Sequence, residues 1–463
     1  MTTRYALVSG GALMLGAPLG VGGEATVYGV AGEATRVAKI YRAPSGVRAA
    51  KQRAKVARPP EDPAGLGHLS IAWPTDLVQD GNGTPVGFLM PRAGPSRPLL
   101  ALYNPQTRLE EAPDFTWEYL LRTATNLARV VRALHAQGYV VGDLNESNLL
   151  VSNTALVTLI DCDSVQVPAG ADGRIFRCPV GKPEYTPPEL QGIDFRMVDR
   201  VPAHDHFGLA VLIFLLLMEG VHPFTGVWMG AGNPPTLEAN IAAGRCPYVG
   251  APDIAPPPYG LAFSTLPPDL QALMRRCFGA GHVDPPARPS AADWVTALEL
   301  AEGTLATCRV NHRHRYSAHL GTDCPWCARI RRLRVPDPFP LPGQAAPRAA
   351  RPTRSTPGVG PRAAADGGAS AVWVGSAPAA PTSTTGGFCF GCVVFLFVIL
   401  FIGGMIVEVP AWGRLRAGIE RANTPPAVTR TVPPRPAATP VPGSRHPVGR
   451  VTLVSTAASA TLL

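Results

Sequence analysis

Residues 141–151 read Val-Gly-Asp-Leu-Asn-Glu-Ser-Asn-Leu-Leu-Val, and residues 157–163 read Val-Thr-Leu-Ile-Asp-Cys-Asp. Asp143 stands five residues before Asn148, on a loop that enters an apolar strand. Asp161 follows 13 residues after Asn148, at the end of a second apolar strand. One carboxylate can accept a hydroxyl proton, while an amide oxygen and a second carboxylate can hold hard Mg²⁺ ions. The pattern predicts a site that handles phosphate groups with magnesium.

Two segments near the N-terminus add features that a phosphate site needs. Residues 19–28 read Leu-Gly-Val-Gly-Gly-Glu-Ala-Thr-Val-Tyr, and glycines in such a turn let backbone N–H groups approach phosphates. Residues 37–40 read Val-Ala-Lys-Ile, which places Lys39 inside an apolar strand. A lysine there needs an anionic partner, and nucleotide phosphates would supply one. Taken singly, the two segments also fit a simple hairpin and a surface lysine on an edge strand.

Together these stretches resemble the protein kinase superfamily, over the range from about Leu19 to Glu302. The resemblance implies that Asp143 is the catalytic base and that Asn148 and Asp161 are Mg²⁺ ligands. It also implies ATP contacts from four residues of the N-terminal part, namely the catalytic Lys39 and the loop residues Gly20, Gly22 and Val27.

Later residues continue the resemblance in the expected order. Residues 186–189, Thr-Pro-Pro-Glu, match the Ala-Pro-Glu motif of kinases, and Asp205 matches the aspartate that opens the central helix. Arg288 matches the late arginine that pairs with the motif's glutamate. The runs around Asp161 and Glu189 are similar to those of a bacterial kinase-like group whose members are often multidomain. The implied activity is phosphoryl transfer to Ser or Thr of a protein substrate.

The implied fold class is α+β, with a small β-rich N-lobe and a large α-rich C-lobe within residues 1–302. Hydrophobic periodicity and turn residues support that order of elements. Strands are predicted at Tyr5–Val8, Leu19–Tyr28, Arg36–Tyr41 and Val86–Met90. Helices are predicted at residues 116–137, 205–219, 268–278 and 291–302.

Several positions depart from the kinase pattern. Val141 and Gly142 replace the His-Arg that usually precedes the base, so no arginine is available there to bind a phosphorylated activation loop. Asn145 replaces the usual lysine two residues after the base, which removes one contact to the γ-phosphate. The second aspartate of Asp-Cys-Asp, Asp163, adds a carboxylate near the metals.

The partner of Lys39 is not evident from the sequence. Kinases pair this lysine with a glutamate on the following helix, but residues 40–60 contain no acidic residue. Gln52 stands about where the glutamate is expected, and Glu61 lies beside prolines. Two functions are therefore considered, an active Ser/Thr-type protein kinase and a nucleotide-binding pseudokinase that acts as a membrane scaffold. A small-molecule kinase is a further alternative.

A Cys/His cluster follows in residues 303–334. Cys324-Pro325-Trp326-Cys327 places two thiolates on one turn, as tetrahedral Zn²⁺ requires. Cys308 supplies a third ligand, and His314 is preferred as the fourth over His312 and His319. The predicted structural zinc site competes with a redox dithiol and with unliganded cysteines.

The rest of the chain predicts appendages to the kinase-like part. A Pro/Ala/Gly-rich linker covers residues 335–387, and the uncharged apolar run 388–407 is long enough for one transmembrane helix. Residues 408–463 predict a disordered extracytoplasmic tail. Because ATP is cytoplasmic, we expect a single-pass cell membrane protein with its kinase-like part in the cytoplasm. The net charge of +9 belongs largely to these arginine-bearing appendages and argues little for nucleic acid.

Overall fold

The computed structural model describes residues 5–65, 67–170 and 173–343, together with the backbone of a short strand at Trp373–Val374. The N-terminal part forms a seven-stranded antiparallel sheet with the strand order β2-β1-β6-β7-β5-β4-β3. Its strands are β1 (Tyr5–Leu7), β2 (Ala12–Leu13), β3 (Leu15–Val21), β4 (Ala25–Val30), β5 (Glu33–Tyr41), β6 (Asp76–Gln79) and β7 (Pro85–Pro91). The four predicted strand regions are found, while β2 and β6 escaped prediction.

Helix α1 (Gly46–Ala57) connects β5 to the second half of the sheet. Ser45 caps it by accepting a hydrogen bond from the backbone N–H of Arg48. The residues that α1 buries are Lys51, Gln52 and Lys55 rather than an apolar stripe. For this reason hydrophobic periodicity predicted only strands and turns in residues 1–91.

The C-terminal part is mainly helical and forms most of the core. Its helices are α2 (Leu100–Tyr103), α3 (Pro105–Glu111), α4 (Trp117–Ala136), α5 (Pro202–Leu217), α6 (Leu237–Ala242), α7 (Pro268–Arg275), α8 (Gly281–Val283), α9 (Ala291–Gly303) and α10 (Pro325–Leu333). A π-helical turn at Arg276–Ala280 follows α7. Helix α4 packs on α5 and α9, and α5 is buried along nearly its whole length, as its uniformly apolar sequence predicts.

Short strands complete this part. They are β8 (Arg97–Pro98), β9 (Leu149–Val151), β10 (Val157–Leu159), β11 (Gly226–Trp228), β12 (Ile254–Ala255), β13 (Leu305–Thr307), β14 (Arg315–Ser317) and β15 (Trp373–Val374). Strands β8, β9 and β10 form one small sheet, and β9 and β10 pair as an antiparallel hairpin. This hairpin carries the two motifs on which the kinase resemblance depends. The chain is therefore a mixed α and β protein in which a sheet precedes a helical part, as predicted.

Residues 303–343 pack against the helical part. Trp326 is fully buried and lies edge-on to Trp117 of α4, with 6.0 Å between the ring centroids. Phe339 contacts Trp326 from another side, and the guanidinium of Arg108 lies 4.7 Å from the centre of the Phe339 ring. The Cys/His segment thus shares its core with the helices that precede it.

The predicted transmembrane helix at 388–407, the tail at 408–463 and most of the linker lie outside the described residues. Among the residues that the structure describes, every helix is too short or too polar to cross a membrane.

One buried ion pair stabilises the helical part. Arg288, fully buried, donates two hydrogen bonds of 2.7 Å to the carboxylate of Glu189, as the motif match implied. Burial alone would raise the pKa of Glu189, but Arg288 outweighs it and holds that pKa below its usual value. The pair therefore stabilises the fold above the pKa of an unfolded glutamate, and this contribution disappears as the pH falls through the lower pKa of the folded state.

We expect Glu189→Gln to lower the free energy of unfolding by about 2 kcal/mol at pH 7, because it leaves a buried guanidinium without its counter-ion. The difference from the unchanged chain should begin to shrink below a pH of about 4.5, where the unfolded state binds the proton, and should vanish below the lower pKa of the folded state. Urea unfolding at several pH values measures this. Asp194→Asn, which removes an exposed partner of Arg196, is the matched control and should have no measurable effect. Equal shifts for the two variants would contradict the assignment.

Candidate active site

The loop before β9 presents Asp143 with both carboxylate oxygens engaged. Asn145 donates from its amide nitrogen to one oxygen at 2.9 Å, and Asn148 donates to the other at 3.2 Å. Both amides also donate to the backbone carbonyl of Asp143. Burial raises the pKa of Asp143, and the hydrogen bonds from the two amides offset part of that rise. The loop holds the carboxylate in one orientation beside the predicted metal-binding amide.

Asp205 at the start of α5 fixes the backbone of this loop. Its carboxylate accepts hydrogen bonds from the N–H groups of Val141 and Gly142 at 2.7 and 2.8 Å, and His135 contacts it at 2.8 Å. Burial by itself would raise the pKa of Asp205, but His135 and the two N–H groups keep it low. A hydrogen bond of 2.9 Å from the N–H of Ile160 to the carbonyl of Asn148 joins the two motifs.

Lys39 reaches from β5 to the end of the β9–β10 hairpin. Its ammonium group contacts the carboxylate of Asp161 and that of Asp163, the second at 2.7 Å. The Asp161 side chain is 41% exposed, whereas that of Asp163 is only 12% exposed. Asp161 also adopts a left-handed backbone with φ of +60°, which is uncommon for a residue other than glycine and concentrates at functional sites.

The three charges set each other's protonation. Burial by itself would lower the pKa of Lys39, but the two carboxylates raise it well above its usual value. Partial burial and the neighbouring Asp163 carboxylate raise the pKa of Asp161. Lys39 outweighs the burial of Asp163 and holds its pKa well below the usual range. Lys39 therefore forms ion pairs with both carboxylates, and Asp161 is the more easily neutralised of the two acids.

The cations of helix α1 bind the same loop. Lys51 donates from Nζ to the carbonyl oxygens of Ser164 and Arg177 at 2.9 and 3.0 Å. Lys55 donates to the carbonyls of Cys162 and Asp163, the latter at 3.0 Å. Burial lowers the pKa of Lys55 well below its usual value. The helix is thus attached to the Asp-Cys-Asp segment through backbone oxygens.

Gly142 occupies a position that excludes a side chain. Its φ is +72°, and a Cβ there would lie 2.8 Å from the Sγ of Cys178. Arg200, which is buried, donates to the carbonyls of Gly142 and Val180. In kinases an arginine usually precedes the base. Here Gly142 occupies that position, and Arg200, which lies just before α5, supports the backbone turn at Gly142.

The glycine turn lies on the neighbouring strand pair. The N–H of Gly22 donates to the carbonyl of Ala25 at 2.9 Å, which closes the turn between β3 and β4. Gly20 pairs with Val27, and Val27 pairs with Lys39 on β5. The predicted nucleotide-contacting residues therefore lie on adjacent strands of one sheet.

The structure brings the predicted residues into two groups, Lys39 with Asp161 and Asp143 with Asn148, which the Ile160–Asn148 hydrogen bond joins. Their chemical roles stay predictions. Three lysines near the site were not predicted from the sequence: Lys51, Lys55 and Lys182, whose Nζ contacts the hydroxyl of Ser147 at 2.6 Å. The pairing of Asp163 with Lys39 was not predicted either. The i, i+4 spacing of Lys51 and Lys55 was the signal that could have identified the first two.

The Cys/His segment forms a second site. The ligand atoms of Cys308, His314, Cys324 and Cys327 all lie within 4.8 Å of one another. The Nδ1 atom of His314 is 3.5 Å from both Cys324 Sγ and Cys327 Sγ. Of the three candidate histidines, His314 is the one in this cluster, while the ring of His319 contacts Ser317 and Ser264 instead.

Asp337 supports the cluster from outside and was not predicted. Its carboxylate contacts the other ring nitrogen of His314, Nε2, at 2.8 and 3.0 Å. A histidine that binds a metal commonly donates its second N–H to a carboxylate in this way, which orients the ring. The donor set of three cysteines and one histidine is typical of structural zinc sites.

A lysine on an antiparallel sheet contacts the aspartates that follow one strand of a hairpin, and an Asp and an Asn lie together before the other strand, which defines a protein-kinase-like class of structure. No family model matches the chain. The chain is 38% identical over 318 residues to a protein named protein kinase YegI from Escherichia coli O157:H7, and 38% over 319 residues to that of strain K12. Each match covers 68% of this chain and 48% of the relative, so the chain spans about half the length of the curated relatives it matches. The chain belongs to a protein-kinase-like family.

Proposed function

We propose that this chain transfers the γ-phosphoryl group of ATP to a Ser or Thr hydroxyl of a protein substrate with the help of Mg²⁺. The observation that carries the proposal is the pair of joined groups, Lys39 with Asp161 and Asp143 with Asn148. Lysine, carboxylate and amide side chains are the groups that phosphoryl transfer requires, and here they converge from different parts of the chain. The curated relatives named as kinases support the same reaction class.

Each side chain has a task in this reaction. Asp143 accepts the proton of the attacking hydroxyl, whose oxygen forms the new bond to the γ-phosphorus while the bond to the bridging oxygen of ADP breaks. Lys39 orients the α- and β-phosphates, and Asn148 and the exposed carboxylate of Asp161 would hold Mg²⁺. The metal would neutralise charge that develops on the phosphate oxygens.

We expect Asp143→Asn to lower the rate of γ-phosphate transfer at least about a thousandfold, since the hydroxyl loses its proton acceptor. Lys39→Met should lower it comparably. Transfer of radiolabelled phosphate from ATP to the chain itself or to a generic substrate measures this. Asp253→Asn, which removes an aspartate paired with Arg245 in the helical part, is the control and should transfer at the wild-type rate. Transfer that persists in Asp143→Asn would contradict the proposal.

A nucleotide-binding pseudokinase at the membrane is the second candidate. It is favoured by one observation, that Lys39 contacts both Asp161 and Asp163 and thus has two internal anions in competition with a nucleotide. Asn145 in place of lysine points the same way. Nucleotide binding without transfer by the unchanged chain would select this candidate.

We also propose that Cys308, His314, Cys324 and Cys327 hold a structural Zn²⁺. The support is the close approach of the four ligand atoms and the carboxylate of Asp337 behind His314. A closed site with four protein ligands has no open position for a substrate, which fits a structural role. The ion would join β13 and β14 to the start of α10 and so stabilise the part of the core around Trp326.

The purified chain should contain about one zinc ion per molecule by elemental analysis. His314→Gln should reduce that content and lower the melting temperature, because metal binding stabilises the fold. His319→Gln is the matched control, since its ring lies outside the cluster, and it should retain the metal. Equal zinc contents in the two variants would rule out His314 as a ligand.

Membrane anchoring through residues 388–407 is a further proposal. It rests on the length and lack of charge of that run and on the cytoplasmic supply of ATP. Protease treatment of intact cells should remove residues after 407 and leave residues 1–343 intact. Loss of the N-terminal part instead would contradict this orientation.

A further inference from the structure

We propose that Asp163 is the counter-ion that positions Lys39, in place of the helix glutamate that protein kinases use. This inference deepens the proposed function and rests on it. It assigns a positioning role to the second aspartate of the Asp-Cys-Asp motif and leaves the metal to the first.

The division of tasks between the two aspartates follows from their exposure. Asp163 is nearly enclosed, and its Oδ1 lies 2.7 Å from the ammonium group of Lys39. The hydroxyl of Tyr41 contacts the other oxygen of Asp163 at 3.4 Å. Asp161 keeps a substantially exposed carboxylate, which a hard cation can reach although Lys39 also contacts its Oδ1. The enclosed acid is therefore suited to hold the lysine and the exposed acid to bind metal.

Helix α1 is connected to this ion pair without supplying a charge to it. Gln52 is buried and donates from Nε2 to the hydroxyl of Tyr41 at 3.0 Å, while its Oε1 lies buried without a partner among the described residues. Hydrogen bonds thus run from Gln52 through Tyr41 to Asp163, and the ion pair continues to Lys39. Gln52 occupies the position at which the resemblance expects the glutamate.

In kinases the helix supplies the carboxylate that pairs with the lysine of the sheet. Here the helix supplies lysines, and the loop supplies the carboxylate. Lys51 of α1 donates to the backbone carbonyl of Ser164, and Lys55 donates to those of Cys162 and Asp163. The carboxylate of Asp163 pairs with Lys39, and the backbone carbonyl of the same residue accepts a hydrogen bond from Lys55. The cations of α1 therefore favour the anion at position 163.

The test exchanges the position of the carboxylate in the full chain. Asp163→Asn should raise the KM for ATP and lower kcat, each by about tenfold or more, because Lys39 loses its orientation. The double variant Asp163→Asn/Gln52→Glu, which restores the helix glutamate, should recover at least about a third of the lost kcat/KM. Tyr41→Phe should raise the KM for ATP about two- to fivefold. Asp253→Asn serves again as the control.

Two readouts separate this role from its rivals. If Asp163 orients Lys39, the concentration of Mg²⁺ that gives half the maximal rate stays unchanged in Asp163→Asn. A large increase in that concentration, with activity restored at high Mg²⁺, would make Asp163 a metal ligand and overturn the proposal. A double variant that is weaker than the single one would also overturn it. Melting temperatures of all variants identify losses that come from unfolding.

The failure of the proposed function can be recognised separately. Binding of a fluorescent ATP analogue reports on Lys39 even in a chain that transfers no phosphate. If the unchanged chain binds the analogue and Asp163→Asn binds it equally well, the role of Asp163 is wrong while nucleotide binding stands. If the unchanged chain neither binds nor transfers, the proposed function fails, and the inference that rests on it is overturned as well.

Discussion

The contact of one ammonium group with two carboxylates is the interaction on which the site depends. Lys39 lies on the sheet, and Asp161 and Asp163 lie 122 and 124 residues later, beyond the first long helix. Because this contact joins the sheet to the loops of the helical part, it fixes the position of Lys39 relative to the Asp-Cys-Asp segment. The rest of the site, including the amides that engage Asp143, is arranged around the same loop and hairpin.

The helix beside this contact is attached in an unusual manner. Its lysines bind backbone carbonyls, which carry no net charge and are fixed by the chain itself. The carbonyl of Arg177 is one of these acceptors, so the helix is also joined to the segment that leads toward Glu189. The Nζ of Lys51 therefore links α1 both to the loop after Asp163 and to this later segment.

Much of the site could be predicted because motif residues lie close together along the chain, and the structure then brings Lys39 to Asp161 and Asp143 to Asn148. Hydrophobic periodicity did not predict helix α1, since its buried face is polar; only the resemblance to kinases implied a helix around Gln52. The pairing of Asp163 with Lys39 could not be predicted either, because nothing local in the sequence marks a contact across 124 residues. The contact between Asp337 and His314 could not be predicted for the same reason.

The packing of Trp326 against Trp117 bears on how the chain can be divided. Similarity to kinases would place the end of the catalytic unit near Glu302, yet the buried ring of Trp117 is packed against Trp326, which lies beyond that point. A recombinant fragment cut at that point would uncover the Trp117 ring on α4, and newly exposed apolar surface of this kind favours aggregation. The shortest fragment that keeps this surface covered extends at least through Phe339, whose ring closes the far side of Trp326.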